Sequence, residues 1–165
     1  FVSSGQINAQ VPFEVGEAAS VPVVVKVNGV SSPAGSVAVI AAAPGMFQFG
    51  NKRAVVQNAD YSVNDAGNGA EAGSYAVAYM TGGGLLDNPV ATGSPAGSEP
   101  LSRPRGAVSA TINNSPVEIA FAGLTPGFIG LMQMNFKMPP LPPGSYQMVV
   151  TVNGEKSNGA MVTIK

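Results

Sequence analysis

Apolar and polar residues alternate over short stretches along the whole chain, and Gly or Pro closes nearly every stretch. Apolar residues at the spacing of a helix face are missing over any helix-long window, so the pattern predicts strands and turns. Strands are expected over residues 6–15, 21–27, 36–43, 53–57, 75–81, 107–113, 117–121, 131–138, 146–152 and 160–164. Asn28-Gly29 and Asn153-Gly154 mark tight hairpin turns, because a type I′ turn needs positive φ at both central residues. Residues 58–73, rich in Asn, Asp and Gly, and residues 85–104, rich in Pro, Gly, Ser and Thr, read as long loops. Loops of that length are usually functional or mobile; the plainer reading makes both exposed crossovers between sheets.

The pattern repeats. Gln6-Ile7-Asn8-Ala9-Gln10-Val11-Pro12 matches Gln133-Met134-Asn135-Phe136-Lys137-Met138-Pro139. Val25-Lys26-Val27-Asn28-Gly29-Val30-Ser31-Ser32 matches Val150-Thr151-Val152-Asn153-Gly154-Glu155-Lys156-Ser157. The second copy follows a long strand-rich lead-in, whereas only Phe1-Val2-Ser3-Ser4-Gly5 precede the first. The expected organisation is therefore a partial Ig-like β unit over residues 1–44, with three strands and without its first ones. A complete Ig-like β-sandwich over residues 45–165 follows, the boundary lying near Pro44-Gly45. Three strands are too few to bury both faces of a sheet. Three accounts of the short first copy stay open. Upstream residues of the same polypeptide complete it; it packs against the complete domain; or a second molecule supplies strands by β-strand addition and links subunits into a polymer. The assembly edge this last account predicts comprises Gln6, Ile7, Asn8, Gln10, Val11, Val23, Val25 and Val27.

Composition narrows the chemistry. Charged residues make up 10% of the chain and the net charge is −1, with no cluster of Lys and Arg for phosphate neutralisation, so nucleic acid is not expected as a partner. Cys and His are both absent. That removes a disulfide framework, Cys/His zinc and any mechanism needing an imidazole or thiolate from this chain. No apolar run reaches transmembrane length, and no signal peptide is visible, as expected of a mature chain or a fragment of a longer one. No membrane insertion, cofactor or metal is expected.

Individual motifs add little. Asp60, Ser62, Asn64, Asn68 and Glu71 follow the ligand spacing of an EF-hand loop, but Asp65 stands where that loop needs Gly and no helices flank it. A solvated turn is the better reading. Gly82-Gly83-Gly84 lacks the Lys-Ser/Thr ending and the helix of a phosphate loop, and reads as a strand-ending turn. The carboxylates Glu14, Glu17, Asp87, Glu99 and Glu118 show no spacing that singles out a glycosidase pair. Sugar-binding sandwiches present exposed aromatic platforms; the chain has no Trp, and Tyr61 and Tyr146 are the Tyr residues expected near the surface. Gln6, Asn8, Gln133 and Asn135 are expected to bond backbone at a sheet corner. Met132, Met134, Met138 and Met148 read as adaptable core or interface filler. Asn113-Asn114-Ser115 is a glycosylation sequon.

The opening residues, Phe1-Val2-Ser3-Ser4-Gly5-Gln6-Ile7-Asn8-Ala9-Gln10-Val11-Pro12-Phe13-Glu14-Val15, carry a family resemblance that continues along the chain. Ala43-Pro44-Gly45-Met46-Phe47, Ala76-Val77-Ala78-Tyr79-Met80-Thr81-Gly82-Gly83-Gly84 and the run from Ala122-Gly123-Leu124-Thr125-Pro126-Gly127 to Gln133-Met134-Asn135 follow in order. Together they resemble the uncharacterised Solibacter-type C-terminal domain family of acidobacterial secreted proteins. Asn68-Gly69-Ala70 stands where that family tends to have Asn-Pro-Ala, and Met80 and Gly83 are atypical. The resemblance implies a secreted β module at the end of a longer protein, usually with a further part before the Gln-Ile-Asn motif, and no enzymatic activity or known ligand.

The chain is thus expected to be an all-β, Ig-like, non-catalytic extracellular or cell-surface module for structure or assembly. It would be a filament or surface-polymer subunit linked by strand complementation, with self-association or upstream residues of the same polypeptide as its partner. The alternative expectation is a polysaccharide- or ligand-binding module of a larger secreted protein, acting through Tyr61 or residues 85–104.

Overall fold

In the computed structural model, which describes residues 1–165, the chain is all-β with one short 3-10 turn. That turn, Phe13–Val15, precedes β1 (Ala18–Val23), β2 (Lys26–Val27), β3 (Val30–Ser31) and β4 (Gly35–Val39). Next come β5 (Gly45–Met46), β6 (Gln48–Phe49), β7 (Arg53–Ala54), β8 (Val56–Gln57) and β9 (Tyr75–Thr81). The last part holds β10 (Val108–Ile112), β11 (Ser115–Pro116), β12 (Ile119–Leu124), β13 (Met132–Lys137), β14 (Gly144–Val152), β15 (Glu155–Lys156) and β16 (Ala160–Ile164).

A seven-stranded sheet runs β11-β10-β14-β16-β7-β6, with β15 paired to β14, and a five-stranded sheet runs β12-β13-β9-β5, with β8 paired to β9. The strict alternation of the sequence sets which face is buried. Met132, Met134 and Phe136 of β13 and Ala76, Ala78 and Met80 of β9 turn inward from one sheet. Met148, Val150 and Val152 of β14 and Ala160, Val162 and Ile164 of β16 do so from the other. They form one apolar cluster between two stacked sheets, a sandwich-like arrangement. Met132, Met134, Met138 and Met148 all lie inside it, where their flexible thioethers fill gaps left by the many alanines. Every residue of this core lies between Ala42 and Ile164.

The outer edge of β16 is sealed by side chain as well as by strand. The Met161 N–H donates to the Lys52 carbonyl at 2.8 Å. The next outward N–H, of Thr163, donates to Asn64 Oδ1 at 2.8 Å, and Asn64 Nδ2 donates back to the Thr163 carbonyl at 2.8 Å. One fully buried amide side chain thus does for Thr163 what a neighbouring peptide would do. Residues 58–73 are therefore an edge cover, and Asn58 and Asn68 hold the cover together through Asn58 Nδ2 to the Asn68 carbonyl and Asn68 Nδ2 to the Val63 carbonyl. Residues 85–104 likewise fold back on themselves: Asp87 N–H donates to the Arg103 carbonyl and Arg105 N–H to the Leu85 carbonyl.

One expected strand does not form. Residues 6–15 run as irregular chain into the 3-10 turn, with only a Val2–Ile7 bridge. The matching Gln133–Met138 stretch lies in and just after β13, which pairs with β12 on one side and β9 on the other. Alternation makes a segment fit a sheet, but neighbours make it a strand, and residues 6–15 have none. The expected strand at 117–121 forms later, as Ile119–Leu124.

Gly82-Gly83-Gly84 ends β9, as its composition predicts, and serves close packing. A Cβ on Gly82 would sit 1.8 Å from the Ala43 carbonyl oxygen, and one on Gly84 would sit 2.1 Å from the Ala41 oxygen. The crossing is fixed by the Ala43 N–H donating to the Gly82 carbonyl at 3.0 Å. With φ at +79° besides, Gly82→Ala is expected to destabilise the protein by roughly 2–4 kcal/mol, read from denaturant unfolding. A change under about 0.5 kcal/mol would show that this crossing yields freely.

Candidate assembly site

From Val21 to Val23 the β1/β4 hairpin copies the β14/β16 hairpin in register, not only in sequence; before Val21 a bulge sets Ala18 rather than Ala19 opposite Val39, where Gly144 lies opposite Ile164. Val21 lies opposite Val37 and Val23 opposite Gly35, as Tyr146 lies opposite Val162 and Met148 opposite Ala160. Both hairpins carry a smaller turn, with Asn28 and Gly29 at φ +49° and +82° and Asn153 and Gly154 at +52° and +86°. Ser32 Oγ accepts from the Val25 N–H at 3.1 Å and donates to the Pro33 carbonyl; Ser157 Oγ accepts from the Val150 N–H at 3.0 Å and donates to the Asn158 carbonyl. Hydroxyls also meet on the outer face of each hairpin, but at places that do not correspond: Ser20 with Ser36 in the first, Ser145 with Thr163 in the second. Equal local sequences have produced equal local geometry.

Their surroundings are opposite. Met148, Val150, Val152 and Val162 are 0% exposed, whereas the equivalent Val23, Val25, Val27 and Val37 are 46, 40, 61 and 46% exposed. Burying a valine is worth about 1.5–3 kcal/mol, so each half-exposed valine leaves roughly 1 kcal/mol unrealised. The edges differ too. β14 is flanked by β10 and β16 by β7, while β1 and β4 pair only with one another.

The two bare edges are not alike. Asn113 N–H donates to the Gln147 carbonyl and Asn153 N–H to the Ala107 carbonyl, so the odd-numbered residues of β14 face β10. In the first hairpin those places belong to Pro22, Val24 and Lys26. A proline without an N–H and a lysine are the usual guards of an open edge. On the other side, the outward Met161 and Thr163 correspond to Ser36 and Ala38, and no such guard stands among Gly35, Ser36, Val37, Ala38, Val39 and Ile40. The β4 edge therefore lacks the guards that the β1 edge carries.

Both ends of the hairpin are tethered to the rest of the molecule. Ala41–Ala43 cross Gly82–Gly84 as described. On the other side, Gln10 Oε1 accepts from the Gly93 N–H at 2.9 Å, and Thr92 Oγ1 accepts from the Phe13 N–H at 3.0 Å while donating to Glu14 Oε2 at 2.7 Å. The Thr92 hydroxyl holds the Glu14 carboxyl below its ordinary pKa, so it is ionised and accepting at neutral pH.

Of the residues expected to form the edge, Val23, Val25 and Val27 do lie together on the exposed face. Gln6, Ile7, Asn8 and Val11 lie apart, on the opening turn and the irregular stretch that follows, and Gln10 is a tether. The sequence reading missed Val21, Val37 and Val39, although the repeat itself points to them through Tyr146, Val162 and Ile164. Gln6 and Gln133 do not bond backbone through their amides as expected: Gln6 Nε2 donates to Asn8 Oδ1 at 2.6 Å, and Gln133 Nε2 to Asn135 Oδ1 at 3.1 Å. In the EF-hand-like spacing, Asn64 is committed to Thr163, Glu71 pairs with Lys165 at 3.5 Å, and Asp60 accepts from the Ser62 N–H at 3.0 Å. The Ser62 hydroxyl and N–H lower the Asp60 pKa.

A second apolar surface was not anticipated. Phe47, Val55, Tyr79, Phe128 and Leu131, with Gln48 and Thr125, line an open cleft of about 470 Å³. The Thr125 hydroxyl in its wall is buried without a hydrogen-bond partner.

No family model and no curated protein matches the chain.

Equivalent truncations should separate the covered hairpin from the bare one. Val150→Ala is expected to cost about 2–3 kcal/mol in urea unfolding of the isolated chain, and Val25→Ala less than about 0.5 kcal/mol. Equal losses would mean that the first hairpin is as well covered as the second.

Proposed function

We propose that this chain is a non-catalytic extracellular assembly module, built from a partial Ig-like unit (residues 1–44) and a complete Ig-like sandwich (residues 45–165). Its N-terminal hairpin is the joining element. One observation carries the reading: a hairpin whose copy elsewhere in the chain has its apolar face buried is held out, tethered at both ends, with its valine face and the β4 edge bare. β-strand addition to that edge would supply the backbone partners that Lys52 and Asn64 supply to β16. The absence of Cys and His supports a non-catalytic role. The resemblance to a secreted acidobacterial family supports an extracellular or cell-surface setting.

A second reading, binding of a polysaccharide or other ligand, draws on the cleft between Phe47, Tyr79 and Phe128, since aromatic faces stack on sugar rings. Tyr61 is exposed, and Gln57 links it to the cleft: Gln57 Nε2 donates to the Tyr61 carbonyl and Gln57 Oε1 accepts from the Tyr79 hydroxyl, while residues 85–104 are folded back on themselves.

Light scattering of the purified chain across a concentration series tests the assembly reading. The wild type is expected to exceed monomer mass, and Val37→Asp to remain monomeric with its unfolding midpoint nearly unchanged. Val37→Thr, which keeps the shape and strand preference of valine, should weaken assembly in the same direction. Unchanged mass in both variants would reject the hairpin as the joining element.

A further inference from the structure

We infer that Asn28 is a site of spontaneous covalent modification, converting to aspartate and isoaspartate, while the same local sequence at Asn153 is largely spared. The site stands whether or not copies of the chain associate.

The chemistry needs only an asparagine, the next main-chain nitrogen and water. The nitrogen of the following residue attacks the asparagine Cγ, ammonia leaves with the proton that nitrogen gives up, and a succinimide ring closes. Water then opens the ring at either carbonyl. One opening yields aspartate; the other yields isoaspartate, in which the main chain runs through the former side chain. A following glycine has no side chain to hinder the attack. The chain holds four such pairs: Asn28-Gly29, Asn68-Gly69, Asn153-Gly154 and Asn158-Gly159.

Two of the four are held by their own amides. Asn68 Nδ2 donates to Ser62 Oγ at 2.8 Å and to the Val63 carbonyl at 3.0 Å, and Gly69 is buried against the main chain of Ile164 and Lys165. Asn158 Oδ1 accepts from the Met46 N–H at 2.8 Å, and its Nδ2 donates to the Met46 carbonyl at 3.2 Å. Each would have to give up these bonds before its Cγ could turn to the glycine nitrogen.

Asn28 and Asn153 are exposed, and both take the left-handed conformation, at φ +49° and +52°. A type I′ turn folds the main chain back on itself, and ring closure needs the asparagine ψ rotated out of that turn, so the turn must open first. Val-Asn-Gly is the local sequence at both places, so their rates differ only by the cost of local opening. At Asn28 that cost is small. β2 and β3 form a sheet of their own, paired over Lys26–Ser31 and Val27–Val30, with Val27 and Val30 61 and 73% exposed. At Asn153 the same movement pulls on β14. The Asn153 N–H donates to the Ala107 carbonyl at 2.9 Å, Val152 is fully buried and paired with Val108, and the Asn153 side chain lies against Gly106.

Either product puts a carboxylate at the hairpin tip, close in sequence to Lys26. Isoaspartate also lengthens the main chain by a carbon, which a two-residue turn does not accommodate, so the β2–β3 pairing is expected to loosen.

Full-length protein kept dilute at mildly alkaline pH tests this. Tandem mass spectrometry of its fragments, sampled over time, locates each amide-to-carboxyl change, and an isoaspartyl methyltransferase reports the isoaspartate. Asn28 is expected to react at least about tenfold faster than any of the other three. In denaturing guanidinium, Asn28 and Asn153 are expected to react at equal rates. Equal rates at these two in the folded protein would overturn the inference, as would reaction at Asn68 or Asn158 ahead of Asn28. So would a folded protein in which none of the four reacts while the denatured one does. A gap between Asn28 and Asn153 that persists in guanidinium would trace to sequence rather than fold, and would overturn it as well.

Discussion

A two-stranded hairpin is not stable by its own bonds; it needs a cover for its apolar face and partners for its outer edges. This chain meets that constraint once and leaves it open once. For β14 and β16 the cover is a facing sheet of alanine, methionine and phenylalanine, and the edges are taken by β10, Lys52, Ala70 and the Asn64 side chain. For β1 and β4 the same sequence pattern, turn and serine lock are present without the surroundings. The contrast is internal, between two hairpins of one molecule that share the same turn and the Val21–Val37 and Tyr146–Val162 pairing.

The arrangement of the tethers gives the bare hairpin its meaning. Gly82 and Gly84 let the chain cross close to Ala41–Ala43, and Gln10 and Glu14 fasten the opposite approach to Thr92 and Gly93. A disordered arm would need no such fastening. A held arm loses less freedom when a partner arrives, which is what a joining element requires. On the proposed assembly reading, Pro22 and Lys26 would bias strand addition toward the β4 side.

Much of the fold was legible because turns and alternation are local signals. Asn28-Gly29, Asn153-Gly154 and the β9 run ending in glycines predicted their own geometry. The repeat was legible too, and it located Val23, Val25 and Val27. Residues 6–15 misled because a strand is defined by its neighbours, and Gln133–Met138 has them on both sides while residues 6–15 do not. The role of Asn64 was hidden because its partner, Thr163, is remote in sequence; its Asn/Asp/Gly setting looks like any solvated loop. The aromatic cleft was hidden for the same reason, since Phe47, Tyr79 and Phe128 come from separate segments and none carries a motif.

The most direct measurement is amide hydrogen exchange at Ser36 and Ala38, set against Met161 and Thr163, over a range of protein concentration. Slow exchange at Met161 and Thr163 throughout is predicted, with fast exchange at Ser36 and Ala38 in dilute monomer that slows as copies associate. Protection of Ser36 and Ala38 in the monomer would mean that the hairpin is closed within its own chain, and would contradict the account.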